Sequence, residues 1–469
     1  MLTRLRQAVE RPREVFALFV LVYLSTFAGH YTSTDGWYKR AWADAIVWRH
    51  SADVDPGPAV HYSLWGIGHT LLAIPPLVAG ELAARFTGVD LTAIFYTLLF
   101  VVNGAALMAL ICEYLRHDYP PATVWKTLLL VGLATIWWPY TKLDFSEPLV
   151  ATFFLAGLVL ARKGRTVTGF AVAGFAMTIR EDTVVLIAGL ALWELSRKRD
   201  WRRLVPIAAA VGPWVLVNAA ADYVRWGSIV DRAQMGRFSN PALVGVYGAL
   251  FSAGKSVFLF SPPLVLGLLG WRRFRDRPGF GADAFLFAGA FVAQLLFFSK
   301  WHDWSGDDAW GDRFLLVSTI LMCIPAVELV ERRWVFATTL ALGAFVQVLA
   351  VLPGPLSYVT LFHSKSARRL PLMVAPFYVE DGRLVRGARQ RLDFEDVRYN
   401  PRYGQLAGHW MLVERMFAIR GSTDASAESA TGTPLSVAMP IEPGEIEPDL
   451  LWLEALRGRF HLPASALGE

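Results

Sequence analysis

Long apolar runs alternate with short clusters of arginine and lysine from the N-terminus of this chain to Leu352. Each cluster adjoins an apolar run, as cytoplasmic loops do under the positive-inside rule. The clusters lie at residues 4–13, 162–165, 197–203, 272–277 and 332–333. The polar segments between them carry acidic residues, tryptophan and isolated arginines instead. The pattern predicts a protein that crosses a membrane many times and keeps its polar chemistry on the side away from the cytoplasm.

The composition excludes an ordinary soluble domain. Hydrophobic residues make up 54% of the 469 residues, and the mean hydropathy is +0.39, which is not typical of soluble domains. The net charge of +5 is divided among short loops, which indicates membrane topology and contact with anionic lipids and argues against nucleic acid as a partner. Cys112 and Cys323 both lie in apolar runs, so we expect neither a disulfide framework nor a thiolate metal site.

Twelve apolar runs approach the length that crosses about 30 Å of hydrocarbon. They cover residues 15–34, 62–85, 91–112, 124–141, 147–161, 166–179, 181–195, 204–221, 257–271, 282–299, 314–331 and 334–352. The first run follows basic residues, as a signal peptide does, but no convincing small-residue cleavage site comes after it. We therefore expect a retained signal anchor with a cytoplasmic N-terminus.

Twelve crossings would put the four later basic clusters outside, against the positive-inside rule. Removing one crossing before residue 162 places them all inside. The run at 62–85 is the best candidate, because it contains Pro75, Pro76 and charged residues that suit a juxtamembrane or re-entrant element. We predict an all-α polytopic bundle of about eleven transmembrane helices, with a first outer loop at 35–90. The alternative is a true crossing at 62–85 with an error elsewhere.

The apolar runs stop after Leu352, where proline, glycine, arginine and acidic residues become more frequent. The stretch at 421–433 is rich in serine, threonine, alanine and glycine and is typical of a flexible loop. We divide the chain into a transmembrane catalytic domain at 1–352 and an outer-face C-terminal segment at 353–469. The segment is expected to be a small, partly ordered appendage and not an independent catalytic domain.

Acidic residues occupy two short outer segments. Asp35 follows the first apolar run and precedes an aromatic stretch, which could desolvate the carboxyl, raise its pKa and suit it to accept a proton from a hydroxyl. A solvated acid at a helix end is the plainer interpretation. The turn at 142–146 places Asp144 and Glu147 beside Pro148. Helix capping explains one acid, but not two acids and a lysine.

Three cations stand at the ends of apolar runs. Arg180 lies with two acidic neighbours between two runs, where it could bind a phosphate or pair internally with an acid. Lys255 lies in a turn of small residues that resembles half a P-loop, but the glycine spacing and the strand are absent, so we exclude nucleotide triphosphate binding. A lipid-linked phosphate at the interface still suits Lys255. Arg313 stands at the start of another run.

The segment at 301–313 contains three tryptophans and four aspartates. The flat faces of Trp304 and Trp310 suit stacking on sugar rings. Asp307 and Asp308 could contact hydroxyl groups or, together with His302, a divalent ion, although no fixed metal-ligand spacing is met.

Together these motifs resemble the polyprenyl-phosphate-dependent glycosyltransferases of the GT-C fold class. The resemblance is to bacterial relatives of protein O-mannosyltransferases, aminoarabinose transferases and arabinofuranosyltransferases. Asp35 matches an acid in the first outer loop of that class, Asp144 or Glu147 an acid near a proline in a second loop, and Arg180 an arginine after a short span. Residues 252–263 match a Ser-x-Gly-Lys/Arg-Gly turn, with serine for the final glycine. Residues 304–313 match a Trp-rich loop that ends in Gly-x-Arg.

The resemblance implies transfer of a sugar from a polyprenyl-phosphate carrier to a hydroxyl of a glycan, lipid or protein, by an inverting displacement. It implies Asp35 as the base, Glu147 and Asp144 as groups that position the acceptor or an ion, and a phosphate site of three cations. That site consists of Lys255, Arg180 and Arg313. The sugar or acceptor would contact Trp304, Trp310, Asp307 and Asp308. No cofactor is certain, and a divalent cation (Mg, Mn or Ca) stays open because Asp35 is a single acid and not a pair.

A transporter or lipid-linked sugar flippase would use the same acids and arginines along a path through the membrane. That alternative predicts polar residues within the spans and pseudo-symmetric halves, whereas the polar residues here collect at one face. A non-catalytic assembly subunit is a further alternative. The preference for arginine over lysine, with abundant alanine, glycine and valine, indicates a GC-rich bacterial genome. We therefore expect a multi-pass protein of the bacterial cytoplasmic membrane with its active face outward.

Overall fold

The computed structural model describes residues 10–55, 61–229, 238–307, 309–365, 373–380, 383–389, 394–417 and 446–456. The first helices are α1 (Pro12–Leu24), α2 (Thr34–Asp44), α3 (Ile67–Thr87), α4 (Thr92–Leu115), α5 (Pro121–Ala134), α6 (Trp137–Tyr140), α7 (Glu147–Arg162), α8 (Thr166–Ile179), α9 (Val184–Lys198) and α10 (Leu204–Trp226). The later helices are α11 (Ala242–Phe251), α12 (Val257–Phe260), α13 (Pro263–Asp276), α14 (Gly281–Ser299), α15 (Leu316–Cys323) and α16 (Arg333–Val351). The C-terminal segment contributes α17 (Ser357–Lys365), β1 (Met373–Glu380), β2 (Arg383–Arg389), α18 (Phe394–Tyr399), α19 (Gln405–Met416) and α20 (Leu451–Leu456).

The predicted helical fold class is confirmed for the described residues, apart from an antiparallel hairpin of β1 and β2 in the C-terminal segment. Within the part of the chain that the structure describes, five helices are long and apolar enough to cross a membrane: α3, α4, α10 with the turn before it, α14 and α16. Shorter apolar helices, α5, α8 and α11, account for other predicted runs. The number of eleven crossings stays a prediction.

The two ends of the bundle differ in chemistry. Helix α7 begins at Glu147 and ends at Arg162, so these residues lie about 22 Å apart along its axis. At the second end, Arg162 forms an ion pair with the fully buried Asp283, which also accepts hydrogen bonds from Tyr114 and Trp193 at 2.5 Å. Two of the predicted cytoplasmic clusters, at 162–165 and 272–277, meet at this end, where Arg162 and Arg277 both approach Asp118. The acidic outer loops meet at the first end.

Helix α3, the run that we predicted not to cross, contacts the ends of other helices. These contacts join Gly68 to Thr178, His69 to Ser146 and Gly80 to Thr92. Thr178 is the penultimate residue of α8, Ser146 precedes α7 and Thr92 begins α4. A Cβ on Gly68 would lie 2.2 Å from the Thr178 hydroxyl. His69 also contacts Tyr96 and Phe100, which lie inside α4. By length and hydropathy α3 could span a membrane, so its exclusion from the crossings stays a prediction.

The C-terminal segment returns to the beginning of the chain. The buried Lys142 ammonium donates to the carbonyls of Val351 and Asp449, at 2.9 and 2.5 Å, and pairs with the Asp449 carboxylate at 3.0 Å. His30 Nε2 lies 2.7 Å from the same carboxylate. The Leu451 amide donates to the Phe27 carbonyl at 2.9 Å. These contacts fasten α20 beside the end of α1.

Candidate active site

Arg313 is the centre of the polar cluster at the first end of the bundle. It begins a short 3-10 turn after the Trp-rich loop, and its side chain is only 6% exposed. One terminal nitrogen donates to Asp35 Oδ2 at 2.8 Å and the other to Asp307 Oδ2 at 3.1 Å. Its Nε lies 3.8 Å from Glu147 Oε1. Residues that are 278 positions apart in the sequence, Asp35 and Arg313, thus form a direct ion pair.

Arg180 is the second arginine of this cluster. It follows the last residue of α8 in an extended conformation, which turns its side chain toward α7. Its guanidinium donates to Glu147 Oε1 at 2.6 Å and to Asp182 Oδ1 at 2.9 Å. Glu147 is buried at the start of α7, with Pro148 in the first turn, and therefore holds both arginines. Of the two alternatives for Arg180, phosphate binding and internal pairing with an acid, the pairing is present.

A cavity of about 370 Å³ opens beside these arginines. Its polar lining includes Asp35, Arg180, Asp182, Asp303, Asp307 and Arg313. Its aromatic lining consists of Trp65, Phe238, Phe297, Phe298, Trp301 and Phe314. With Arg225, which also lines it, the cavity places three guanidinium groups and several carboxylates opposite an apolar wall, an arrangement that suits an amphiphilic anion.

The pKa of Asp35 is shifted in the direction opposite to the one predicted. Burial raises the pKa of this carboxyl, but Arg313, Lys39 and Arg180 together lower it, so that the net pKa lies below the ordinary value. The prediction of a raised pKa is therefore wrong for the protein in this state. The reason is the nearby positive charge, which outweighs desolvation. Asp35 is ionised at neutral pH and already paired.

Lys39 completes the cluster and was missed by the sequence analysis. Its side chain is buried, and burial lowers its pKa to about 8, against the opposing effects of Asp35 and Glu147. Lys39 follows Asp35 by four residues on α2, a spacing that places both side chains on one face of a helix. That spacing is the signal that could have identified it.

Asp144 supports the site from beneath and does not line the cavity. It is fully buried and accepts hydrogen bonds from the Thr32 and Ser33 hydroxyls at 2.7 and 2.5 Å. A Cβ on Gly36 would lie 2.0 Å from its Oδ2, so the start of α2 packs directly on this carboxylate. The structure corrects the predicted acceptor contact of Asp144, because the carboxylate instead holds the segment before Asp35.

Lys255, Trp304 and Trp310 are also buried inside the protein. The Lys255 ammonium donates to three backbone carbonyls of the Trp-rich loop. Trp310 donates its indole N–H to Gln347 at 3.1 Å, and Trp304 is 3% exposed. In this conformation a phosphate cannot reach Lys255, and a sugar cannot stack on either indole. Their predicted ligand contacts are corrected to support of the loop.

Asp307 lines the cavity, and its contact with a sugar or acceptor stays a prediction. Asp308 lies outside the described residues. Asp307 has a left-handed backbone, with φ of +55°, and pairs with Arg313. Burial and the neighbouring Asp303 raise the pKa of Asp307 to about 7. Within the described part of the chain, no three His, Cys, Asp or Glu side chains converge as a metal site would require. The carboxylates of Asp35, Glu147 and Asp307 surround a guanidinium group instead.

Trp65 and Arg225 are cavity-lining residues that sequence reasoning missed. Arg225 is 5% exposed, donates to the carbonyls of Ser63 and Trp65, and pairs with Asp222. It thereby holds the segment that brings Trp65 to the cavity. No local pattern connects Arg225 in α10 to residues 162 positions earlier.

No family model and no curated protein matches the sequence. Two crystal structures of ArnT from Cupriavidus metallidurans are similar to the chain. The apo state has a TM-score of 0.49 at 13% identity and covers 75% of this chain and 68% of its own. The state bound to undecaprenyl phosphate has a TM-score of 0.46 at 15% identity, with the same coverage.

Proposed function

We propose that the protein transfers a sugar from a polyprenyl-phosphate carrier to a hydroxyl acceptor at the outer face of the bacterial cytoplasmic membrane. The observation that carries this proposal is the pairing of Asp35 with Arg313 in a cavity that has an aromatic wall. The cavity lies at the end of the bundle opposite two of the basic clusters, which supports an outward orientation under the positive-inside rule.

The reaction is an inverting displacement. The acceptor oxygen bonds to the anomeric carbon of the sugar while the bond from that carbon to the phosphate oxygen breaks, and the electron pair leaves with the phosphate. The acceptor proton passes to the Asp35 carboxylate. Arg313 and Arg180 supply fixed positive charge for the departing phosphate, which is the kind of preorganised electrostatic stabilisation that lowers such a barrier.

Donor binding would also change the basicity of Asp35. A phosphate oxygen that takes the hydrogen bonds of Arg313 competes with Asp35 Oδ2, which now holds that guanidinium at 2.8 Å. The incoming negative charge raises the pKa of the carboxyl and makes it a stronger base. The ion pair of the free protein therefore keeps the base inactive until a donor is present.

The aromatic lining suits the rest of the donor. Phe297 and Phe298 lie at the end of the apolar helix α14, where the first isoprene units could leave the membrane. Trp65 and Trp301 line the same cavity and offer flat surfaces to a sugar ring. These two indoles replace Trp304 and Trp310 in the proposed sugar contact because they reach the cavity.

The test is sugar transfer in liposomes from a panel of radiolabelled polyprenyl-phosphate sugars. Wild type is compared with Asp35→Asn and with Asp44→Asn, a matched change on the same helix at a carboxylate that pairs with Arg40 instead. Transfer that is lost only in Asp35→Asn supports the proposal. Donor movement across the membrane without transfer would favour a transporter, and normal transfer by Asp35→Asn would refute the assignment of the base.

A further inference from the structure

The C-terminal segment contacts the Trp-rich loop directly through Gln405. This residue begins α19 and is fully buried. Its side-chain oxygen accepts a hydrogen bond from the Gly311 amide at 3.0 Å, and its nitrogen donates to the Ala309 carbonyl at 2.9 Å. One amide group therefore satisfies both a donor and an acceptor of the loop backbone, from a position 94 residues away from Gly311 in the sequence.

Lys255 holds the same stretch of backbone from another element. Its ammonium donates to the carbonyls of Asp307, Ala309 and Gly311 at 2.7, 2.6 and 3.2 Å. The loop needs such external support, because Gly306, Asp307 and Gly311 all have positive φ and no regular backbone pairing. Asp307 has a left-handed conformation, which non-glycine residues adopt infrequently, although aspartate does so more readily than most.

A second contact joins the other side of the loop to the C-terminal segment. Arg398 in α18 forms an ion pair with Asp303, which lines the cavity, and also binds Glu395 at 2.8 Å. The Trp310 ring packs edge-on against His409 in α19, with 4.6 Å between the ring centroids. The loop is thus fastened to α18 at Asp303, before its left-handed residues, and to α19 at residues 309–311.

We propose that Gln405 and Arg398 are positioning residues, through which the C-terminal segment sets the location of Asp307 and Arg313 in the cavity. Arg313 follows Gly311 by two residues, so a displacement of the clamped backbone moves the guanidinium relative to Asp35. The segment is then a part of the active site and not an appendage. The catalytic consequence rests on the proposed function, whereas the positional consequence can be measured without it.

Cysteine labelling measures the position of the loop. Ser305 is fully buried, and both native cysteines are buried too, so Ser305→Cys introduces a thiol that a maleimide reaches only when the loop moves. The labelling rate is compared after adding Gln405→Met or Gln294→Met. Gln294 is a matched buried glutamine in α14 that accepts from the Ser318 amide at 3.2 Å. Arg398→Met serves as a second variant if Gln405→Met does not fold.

We expect labelling to become at least about tenfold faster with Gln405→Met and to stay unchanged with Gln294→Met. In the transfer assay Gln405→Met should lower kcat up to about 100-fold with a smaller change in KM, because a displaced catalytic group acts mainly on the transition state. Equal labelling rates for Gln405→Met and Gln294→Met would overturn the proposal. So would labelling of both Gln405→Met and Arg398→Met that is no faster than labelling of Ser305→Cys alone. If Gln405→Met speeds labelling but even the wild-type protein transfers no sugar from any donor, the positioning role is supported and the proposed function is refuted.

Discussion

Replacing Arg313 with methionine tests the centre of the site. The substitution keeps an unbranched side chain but removes a guanidinium that is 6% exposed and donates to Asp35 and Asp307. Loss of one fixed donor to developing charge costs about 3 kcal/mol, or about 10² to 10³ in kcat. Breaking a buried ion pair also costs about 3 kcal/mol of stability, so the rate must be expressed per folded molecule.

The matched control is Arg162→Met at the other end of the bundle. That arginine pairs with the buried Asp283 but lies far from the cavity. We expect a similar loss of stability, measured as thermal unfolding in detergent, with most of the transfer rate per folded molecule retained. Arg313→Lys should fall between wild type and Arg313→Met, because an ammonium keeps the charge but cannot reach both carboxylates as a fork.

The pH dependence supplies an independent check. Arg313 is the largest of the charges that lower the pKa of Asp35, so its removal raises the pKa of that carboxyl. The acid limb of the rate profile should therefore move to higher pH in Arg313→Met, which retains residual activity. If Arg313→Met keeps more than about a tenth of the wild-type rate, or if Arg162→Met loses as much, then Arg313 does not stabilise the leaving phosphate.

Two further predictions concern His30 and Trp65. The hydrogen bond with Asp449 raises the pKa of His30 to about 9, against the opposing effect of burial. The contribution of His30 to the free energy of unfolding is complete below pH 6.5, the ordinary pKa of histidine, and is lost as the pH rises through about 9. Thermal unfolding should show this loss of stability in the wild type and not in His30→Gln. Trp65→Ala should raise the KM for the donor about three- to tenfold. Trp48→Ala, at an exposed tryptophan outside the cavity, should leave this KM unchanged. Equal KM values for the two variants would exclude a sugar contact at Trp65.

Membrane sidedness explains which parts of the site could be predicted. Asp35, Glu147, Arg180 and Arg313 stand at the ends of apolar runs, and helices that cross together bring such ends to one level. Their convergence therefore follows from charge and hydropathy alone. The same reasoning identified the run that contains α3 as the one that does not fit the alternation of charge. Because α3 is long and apolar enough to cross a membrane, that interpretation stays a prediction.

The sequence could not predict how deeply each polar side chain is buried at this end of the bundle, or in which direction it points. Lys255 and Arg313 are both cations at the end of a helix, yet one is enclosed by carbonyls and the other reaches the cavity. The difference is produced by packing between distant segments, which leaves no periodic trace in the sequence. Gln405 is the extreme case, because a neutral amide in a polar tail gives no signal of charge, hydropathy or spacing.

The docking of α20 beside α1 has a consequence for biosynthesis. The Leu451 amide binds the Phe27 carbonyl, and the Lys142 ammonium binds Asp449. Residues near the beginning of the chain therefore cannot complete these contacts until the ribosome has synthesised the C-terminal residues. A nascent chain that has inserted all its apolar runs still lacks Gln405 and the clamp on the loop. Ribosomes that stop early would therefore release a membrane-inserted product in which the cavity beside Arg313 is incomplete.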